Sequence, residues 1–201
     1  MIIGKPIHNR IVSRENWIIA RKQLLAKEKE LTRRRDQLNE ERRELPWVWI
    51  DKEYIFDGPD GPVTLAELFQ NRSHLVINHI ILDPGGEEGC VDCSFGAGHI
   101  GETLVHLEHH DVSYVAVSRA PLSEIEAFSK RMGWHFKWVS SFGSDFNEEM
   151  PGMNVFYQDE SGDIYHTYSA YGRGTEDLRS QCPEEPAFFS LLFSNRLIPG
   201  V

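Results

Sequence analysis

The chain has 201 residues, 40% hydrophobic and 11% aromatic, enough for one main domain with its own core; 16 Gly and 10 Pro are too few for a collagen-like or wholly disordered chain. Its net charge of −10 is unevenly spread, with 12 Lys and Arg against 7 Asp and Glu in residues 1–44 but 9 against 24 in residues 45–201. An acidic body repels phosphate backbones, which argues against a nucleic-acid partner. The longest apolar run, Leu75 to Leu82, is interrupted by Asn78 and His79 and falls far short of the roughly 20 residues of a bilayer crossing, so no membrane partner is expected.

In chain order, Met1 to Val12 is only patchily apolar and precedes charges rather than a cleavage site, so it does not read as a secretory signal. From Arg14 to Glu44 there is neither Pro nor Gly. Ser13 offers a cap and Pro46 enforces a stop, which predicts one long helix. Trp17, Leu24, Leu31, Leu38 and Leu45 recur every seventh residue, a narrow apolar seam that needs a surface to lie on. At a rise of about 1.5 Å per residue the helix is roughly 45 Å long, wider than a small domain. That length predicts a homodimer through the N-terminal helix, with folding back onto its own acidic body as the alternative. Residues 1–45 thus form an arm, 46–178 the main domain and 179–201 a poorly patterned tail.

Beyond Pro46 come short β and α phrases. Trp47 to Ile50 and Tyr54 to Phe56 read as strands, and Gly58 to Pro62 as a hairpin turn. Thr64 with Glu67 forms a capping box opening a short helix through Phe69. Leu75 to Leu82 predicts a strand buried on both faces of a mainly parallel sheet. Cys90 to His109 suits a helix despite three glycines, and Val112 to Ser118 is the next buried strand, completing a βαβ unit. Pro121 opens a further helix that closes near Gly133. Phe136 to Ser140 predicts a strand, and a hairpin turns at Asp159 to Asp163 between Val155–Gln158 and Ile164–Tyr168.

The chemistry concentrates at Cys90-Val91-Asp92-Cys93. A CxxC where a buried strand gives way to a helix is the arrangement of a redox-active pair. At a helix N-terminus the unpaired backbone N–H groups favour a thiolate, which makes Cys90 the nucleophile; Cys93, one turn inside, resolves the mixed disulfide. Asp83, Glu87, Glu88 and Asp92 oppose the thiolate, whereas Arg119, in the loop after the neighbouring strand, is expected at the same carboxyl rim to tune or orient. The partner is then a protein or small-molecule thiol or disulfide, and no cofactor is needed beyond the Cys90–Cys93 disulfide.

Other readings stay open. Cys90 and Cys93 with His106 and His110 match the spacing of a two-Cys two-His zinc site, the basis of an alternative in which the protein is a non-catalytic dimeric interaction module with structural cysteines. The cysteines also read as small buried hydrophobes. His99, His106, His109 and His110 read as proton carriers or as a solvated helix face. Tyr157, Tyr165, Tyr168 and Tyr171, with Trp134, Trp138, Phe142 and Phe146, read as a substrate cleft or as aromatic core. Pro151, just before the Met153 to Tyr157 strand, reads as a candidate cis-proline. The odd third cysteine, Cys182, reads as a redox partner or an ordinary thiol. Three cysteines do not suit a stapled secreted scaffold, so a reducing, cytoplasmic setting is expected.

Gly89-Cys90-x-x-Cys93-Ser94-Phe95, Tyr114 to Pro121, Arg131 to Trp134, Trp138 to Ser141, Gly143 to Asn147 and Tyr165 to Ser169, in that order, resemble a thioredoxin-like family of unknown function predicted to be dithiol-disulfide oxidoreductases. The resemblance runs from about Trp17 to Leu178. It implies an α/β fold: a thioredoxin-like central sheet with flanking helices, elaborated as in peroxiredoxins by Trp47 to Phe69 and preceded by the long helix. It also implies that Cys90 and Cys93 are the family's cysteine pair. Val91 stands where many relatives carry Pro, and the tail from Arg179 departs from the usual ending. The peroxidase signature Pro-x-x-x-Thr/Ser-x-x-Cys is absent, since Asp83 and Glu87 fill its Pro and hydroxyl positions, which disfavours peroxide reduction.

Overall fold

A computed structural model describes residues 10–86 and 89–170, and Cys182 with the rest of the tail lies outside the described residues. The chain divides into two units after Glu41.

The first unit holds most of helix α1 (Arg14–Arg43). The Ser13 hydroxyl accepts from the Asn16 N–H at 3.3 Å, the cap expected from sequence. Arg21 and Glu28 pair at 2.8 Å on its exposed face, a contact worth a few tenths of a kcal/mol. Trp17, Leu24, Leu31 and Leu38 are all exposed on this helix.

The second unit carries one eight-stranded sheet of order β1-β8-β7-β4-β5-β6-β2-β3. Its strands are β1 (Val48–Ile50), β2 (Ile55–Gly58), β3 (Gly61–Thr64), β4 (His74–His79), β5 (Val112–Ser118), β6 (Trp138–Ser140), β7 (Met153–Gln158) and β8 (Ile164–Ala170). The helices are α2 (Val91–Ile100), α3 (Leu104–His109), α4 (Leu122–Met132) and α5 (Phe146–Glu149). Strands β4 and β5 run parallel, β7 runs antiparallel to β4, and β8 antiparallel to β7. With α2 and α3 crossing between β4 and β5, this is the thioredoxin arrangement. The sheet is mixed rather than mainly parallel, because only β4–β5 and β5–β6 are parallel pairs.

Several expectations are refined. The Gly58 turn joins β2 to β3, while β1 starts at Val48 and pairs with β8, so Trp47 to Ile50 is no partner of Tyr54 to Phe56. The helix expected over Cys90 to His109 is α2 and α3 separated by a single 3-10 turn over Gly101–Thr103. Phe136 precedes β6 rather than starting it. Among the described residues there is no cis peptide bond, so Pro151 is trans. The capping box forms: Glu67 accepts from the Thr64 N–H at 2.7 Å while the Glu67 N–H donates to the Thr64 hydroxyl at 3.3 Å. It opens only one 3-10 turn, Glu67–Phe69. Pro121 opens α4, and Gly133 closes it at φ +69°, where a side chain would be strained.

Alternation along β4 and β5 creates two core layers. Val76, Tyr114 and Ala116 face Ala97, Ile100, Leu107, Ile125 and Phe128 of the helices on one side. Leu75, Ile77, Val115 and Val117 face Phe56, Leu68, Phe69 and Phe146 on the other. Each fully buried Phe contributes about 1.5–3 kcal/mol. Both faces of the two central strands are therefore covered, which leaves their carboxyl ends as the place where loops can gather reactive groups.

Candidate active site

Strand β4 delivers the chain to the rim. The Cys90 N–H donates to the Ile81 carbonyl at 3.2 Å and the Ala120 N–H to the Leu82 carbonyl at 3.0 Å, which ties the loop to the turn after β5. Cys90 is the N-cap of α2. Its sulfur accepts from the Cys93 N–H at 3.5 Å, so the first turn of the helix directs a backbone donor at the thiol. The two cysteines stand 3.4 Å apart. Cys90 is half-buried and Cys93 buried, both as thiols. One sulfur can meet a partner from solution while the other waits behind it, close enough to displace that partner.

A set of hydroxyls that sequence did not single out fixes the rim. Ser118 donates to the Ile80 carbonyl and accepts from the Trp138 indole at 3.0 Å. Ser140 donates to the Ala120 carbonyl at 2.7 Å, and the Ser141 hydroxyl lies 2.7 Å from the Asn147 carboxamide oxygen. These bonds hold the ends of β4, β5 and β6 in register.

Arg119 emerges at this rim and lines a cleft of about 620 Å³ with Asp83, Pro84, Ser141, Ser144 and Asn147 among others; neither cysteine is in the lining. The structure therefore brings Cys90 and Cys93 together and places Arg119 in the neighbouring cleft. Tyr171 lies outside the described residues; among the described aromatic residues singled out, only Phe142 lines that cleft, whereas Trp138 and Phe146 are core residues and Tyr157 and Tyr165 pack on Trp47 at 5.3 and 6.0 Å. Among the described residues no three His, Cys, Asp or Glu side chains converge as a metal site, so His106 and His110 do not complete a zinc set with the cysteines.

The two polar residues that interrupt the apolar run both lie in β4. Asn78 is 7% exposed and its amide donates to the Tyr114 hydroxyl at 3.1 Å, in the core layer that also holds Cys93. Burial pushes the Tyr114 phenol up, and the charge of Cys93 when ionised adds to this. His79 faces the other layer, its ring 5.5 Å from that of Phe146 and its Nε2 buried without a hydrogen-bond partner. Burial first, then the Arg119 charge, pulls its pKa down to about 4.

Because the folded pKa of His79 lies below its ordinary value of 6.5, the unfolded chain binds the extra proton between the two. On the order of 3 kcal/mol of stability is present above pH 6.5 and is lost as pH falls toward 4. Urea midpoints measured across that window should fall steeply for the wild type and less for His79→Leu. The slope is reduced rather than abolished, since burial lowers His74 and His166 as well. Equal slopes for the two proteins would refute the role of His79.

A family model describing bacterial proteins of unknown function, DUF899, matches residues 6–182. No curated protein matches the chain significantly. Similar solved structures include a candidate protein disulfide isomerase from Bacteroides thetaiotaomicron, 18% identical over 76% of this chain and 94% of that one, TM-score 0.46. A hypothetical protein from Sinorhizobium meliloti 1021 is 11% identical over 79% and 90%, TM-score 0.48. Peroxidoxin BcpB from Mycobacterium tuberculosis is 15% identical over 59% and 84%, TM-score 0.42.

Proposed function

Since the chain belongs to DUF899, a bacterial family of unknown function, we propose that its chemistry is thiol-disulfide exchange carried by Cys90 and Cys93. The observation that supports this best is the division of labour between the sulfurs: Cys90, half-buried, caps a ten-residue helix and accepts its backbone N–H, with buried Cys93 3.4 Å away. In the reducing direction the Cys90 thiolate attacks a substrate disulfide and releases one substrate thiolate. Cys93, having lost its proton, then attacks the Cys90 sulfur, closes the Cys90–Cys93 disulfide and releases the second. Two electrons pass from protein to substrate, and the exchangeable disulfide is the one redox group required.

In this reading Arg119 orients the substrate from the adjacent cleft, supplying positive charge beside Asp83 in an otherwise acidic body. The protein works in the cytoplasm, and the exposed apolar seam of α1 pairs two copies.

The test is a redox titration in a glutathione buffer, with Cys182→Ser to remove the third thiol. Two thiols should disappear together and reversibly as one two-electron couple, and thiols that remain titratable at every buffer ratio would sink the proposal. In the same background Arg119→Gln should slow reaction with the anionic dithiobis(nitrobenzoic acid) severalfold, with little change for the uncharged dithiodipyridine. Equal slowing of both reagents would remove Arg119 from substrate orientation.

A further inference from the structure

We propose that the Tyr114 hydroxyl donates the hydrogen bond that stabilises the Cys93 thiolate during resolution, and that Asn78 is the positioning residue that aims it. The inference rests on the dithiol reading above and deepens it, because resolution demands a charged sulfur in a place hostile to charge. Cys93 is 7% exposed and packs among Val76, Ala97 and Ile100. Ionising a thiol in such an apolar layer is strongly disfavoured unless a donor meets the anion.

The same core layer holds a donor. Tyr114 belongs to the same buried cluster, on β5, and the Asn78 amide from β4 donates to its oxygen at 3.1 Å. That bond uses a lone pair on the phenol oxygen, so the O–H hydrogen is not spent on Asn78. The Asn78 carboxamide oxygen is itself buried without a hydrogen-bond partner, so the amide is held for its donor end at the expense of its acceptor end. A buried polar pair is retained only at a cost, and here it lies in the layer where a thiolate must form.

The phenol acts as a donor and keeps its own proton. Burial pushes its ionisation well above the ordinary range, and a negative Cys93 pushes it further, so the O–H stays intact while the thiolate exists. In the step itself the Cys93 S–H bond breaks and its proton passes to solvent. The Cys93 sulfur bonds to Cys90, the bond from Cys90 to the substrate sulfur breaks, and the departing thiolate carries the electron pair. Tyr114 lowers the barrier by bonding to the Cys93 anion before it attacks.

Dithiobis(nitrobenzoic acid) reads both steps, since Cys90 releases one thionitrobenzoate and Cys93 the second. In a Cys182→Ser background the intact pair should release two equivalents in two phases. Tyr114→Phe conserves the ring and should leave the first phase unchanged while slowing the second about ten- to a hundredfold, the loss expected for one hydrogen bond to a charged group. Asn78→Ala leaves the phenol in place but unaimed, should slow the second phase severalfold, and decides the matter if Tyr114→Phe does not fold. An unchanged second phase, or equal slowing of both phases, overturns the role of Tyr114 while leaving the dithiol reading intact. A single equivalent from the unsubstituted pair overturns both.

Discussion

If the proposed exchange chemistry holds, replacing Cys90 with serine should abolish disulfide exchange, whereas Cys93→Ser should stop it halfway with the substrate covalently attached. The asymmetry follows from placement. Cys90 is half-buried, caps α2 and is the sulfur met by the helix donor, so in the proposed exchange it makes the first bond. A serine hydroxyl does not ionise near neutral pH and is a poor nucleophile toward sulfur, so the rate should fall by a factor on the order of a thousand or more. Cys93 is buried and reaches only a partner already attached to Cys90. With serine there, the first step should run at close to the wild-type rate and the mixed disulfide should persist. Mass spectrometry after reaction with a small disulfide should then show one adduct on Cys90 that survives until a reducing agent is added. Turnover by Cys93→Ser at the wild-type rate would show that one cysteine suffices. An adduct on Cys93 in the Cys90→Ser protein would reverse the assignment.

What the sequence disclosed and what it hid separate along physical lines. Val112 to Ser118, mostly apolar with Ser113 and Ser118 among its residues, is a fully buried strand. The Thr64/Glu67 box, Pro121 and Gly133 are local signals acting over three or four residues, and each marks the boundary expected of it. The placement of Cys90 at a helix start was legible because a loop giving way to a helix is a local event. Contacts assembled over distance were not. Val48–Ile50 lies opposite Ile164–His166 across more than a hundred residues, and no local pattern reports that pairing. Asn78 and Tyr114 are 36 residues apart, and each looks like a minor blemish in an apolar strand until the parallel register brings them together. Gly101 stands where one predicted helix becomes two, a break that three scattered glycines allow but do not locate. The cleft lined by Arg119 needs the loop at Ser141–Ser144, whose shape depends on Ser118 and Asn147 in other parts of the chain.

Gly89→Ala should destabilise the protein and blunt Cys90 through one steric event. A β-carbon at residue 89 would sit 2.8 Å from Cζ and 3.1 Å from Cε2 of Phe128, closer than carbon atoms tolerate. Phe128 has little room to yield. Its ring lies 5.7 Å from Trp134 and 6.0 Å from Trp138, with the Arg131 guanidinium 4.7 Å from its centre. Part of the strain must therefore pass to the loop, which carries Cys90 as the very next residue and moves its sulfur off the Cys93 N–H. Overpacking of this kind costs about 1–3 kcal/mol. The first thionitrobenzoate phase should slow as the helix donor is lost, and the urea midpoint should drop. Phe128→Leu removes the ring atoms in conflict and opens a cavity of its own, so alone it also destabilises. Combined with Gly89→Ala it should relieve the clash, making the double variant more stable than the sum of the two losses by about 1 kcal/mol or more. Strictly additive losses, or a first phase that stays fast in Gly89→Ala, would mean that the close approach of Gly89 to Phe128 does not set the position of Cys90.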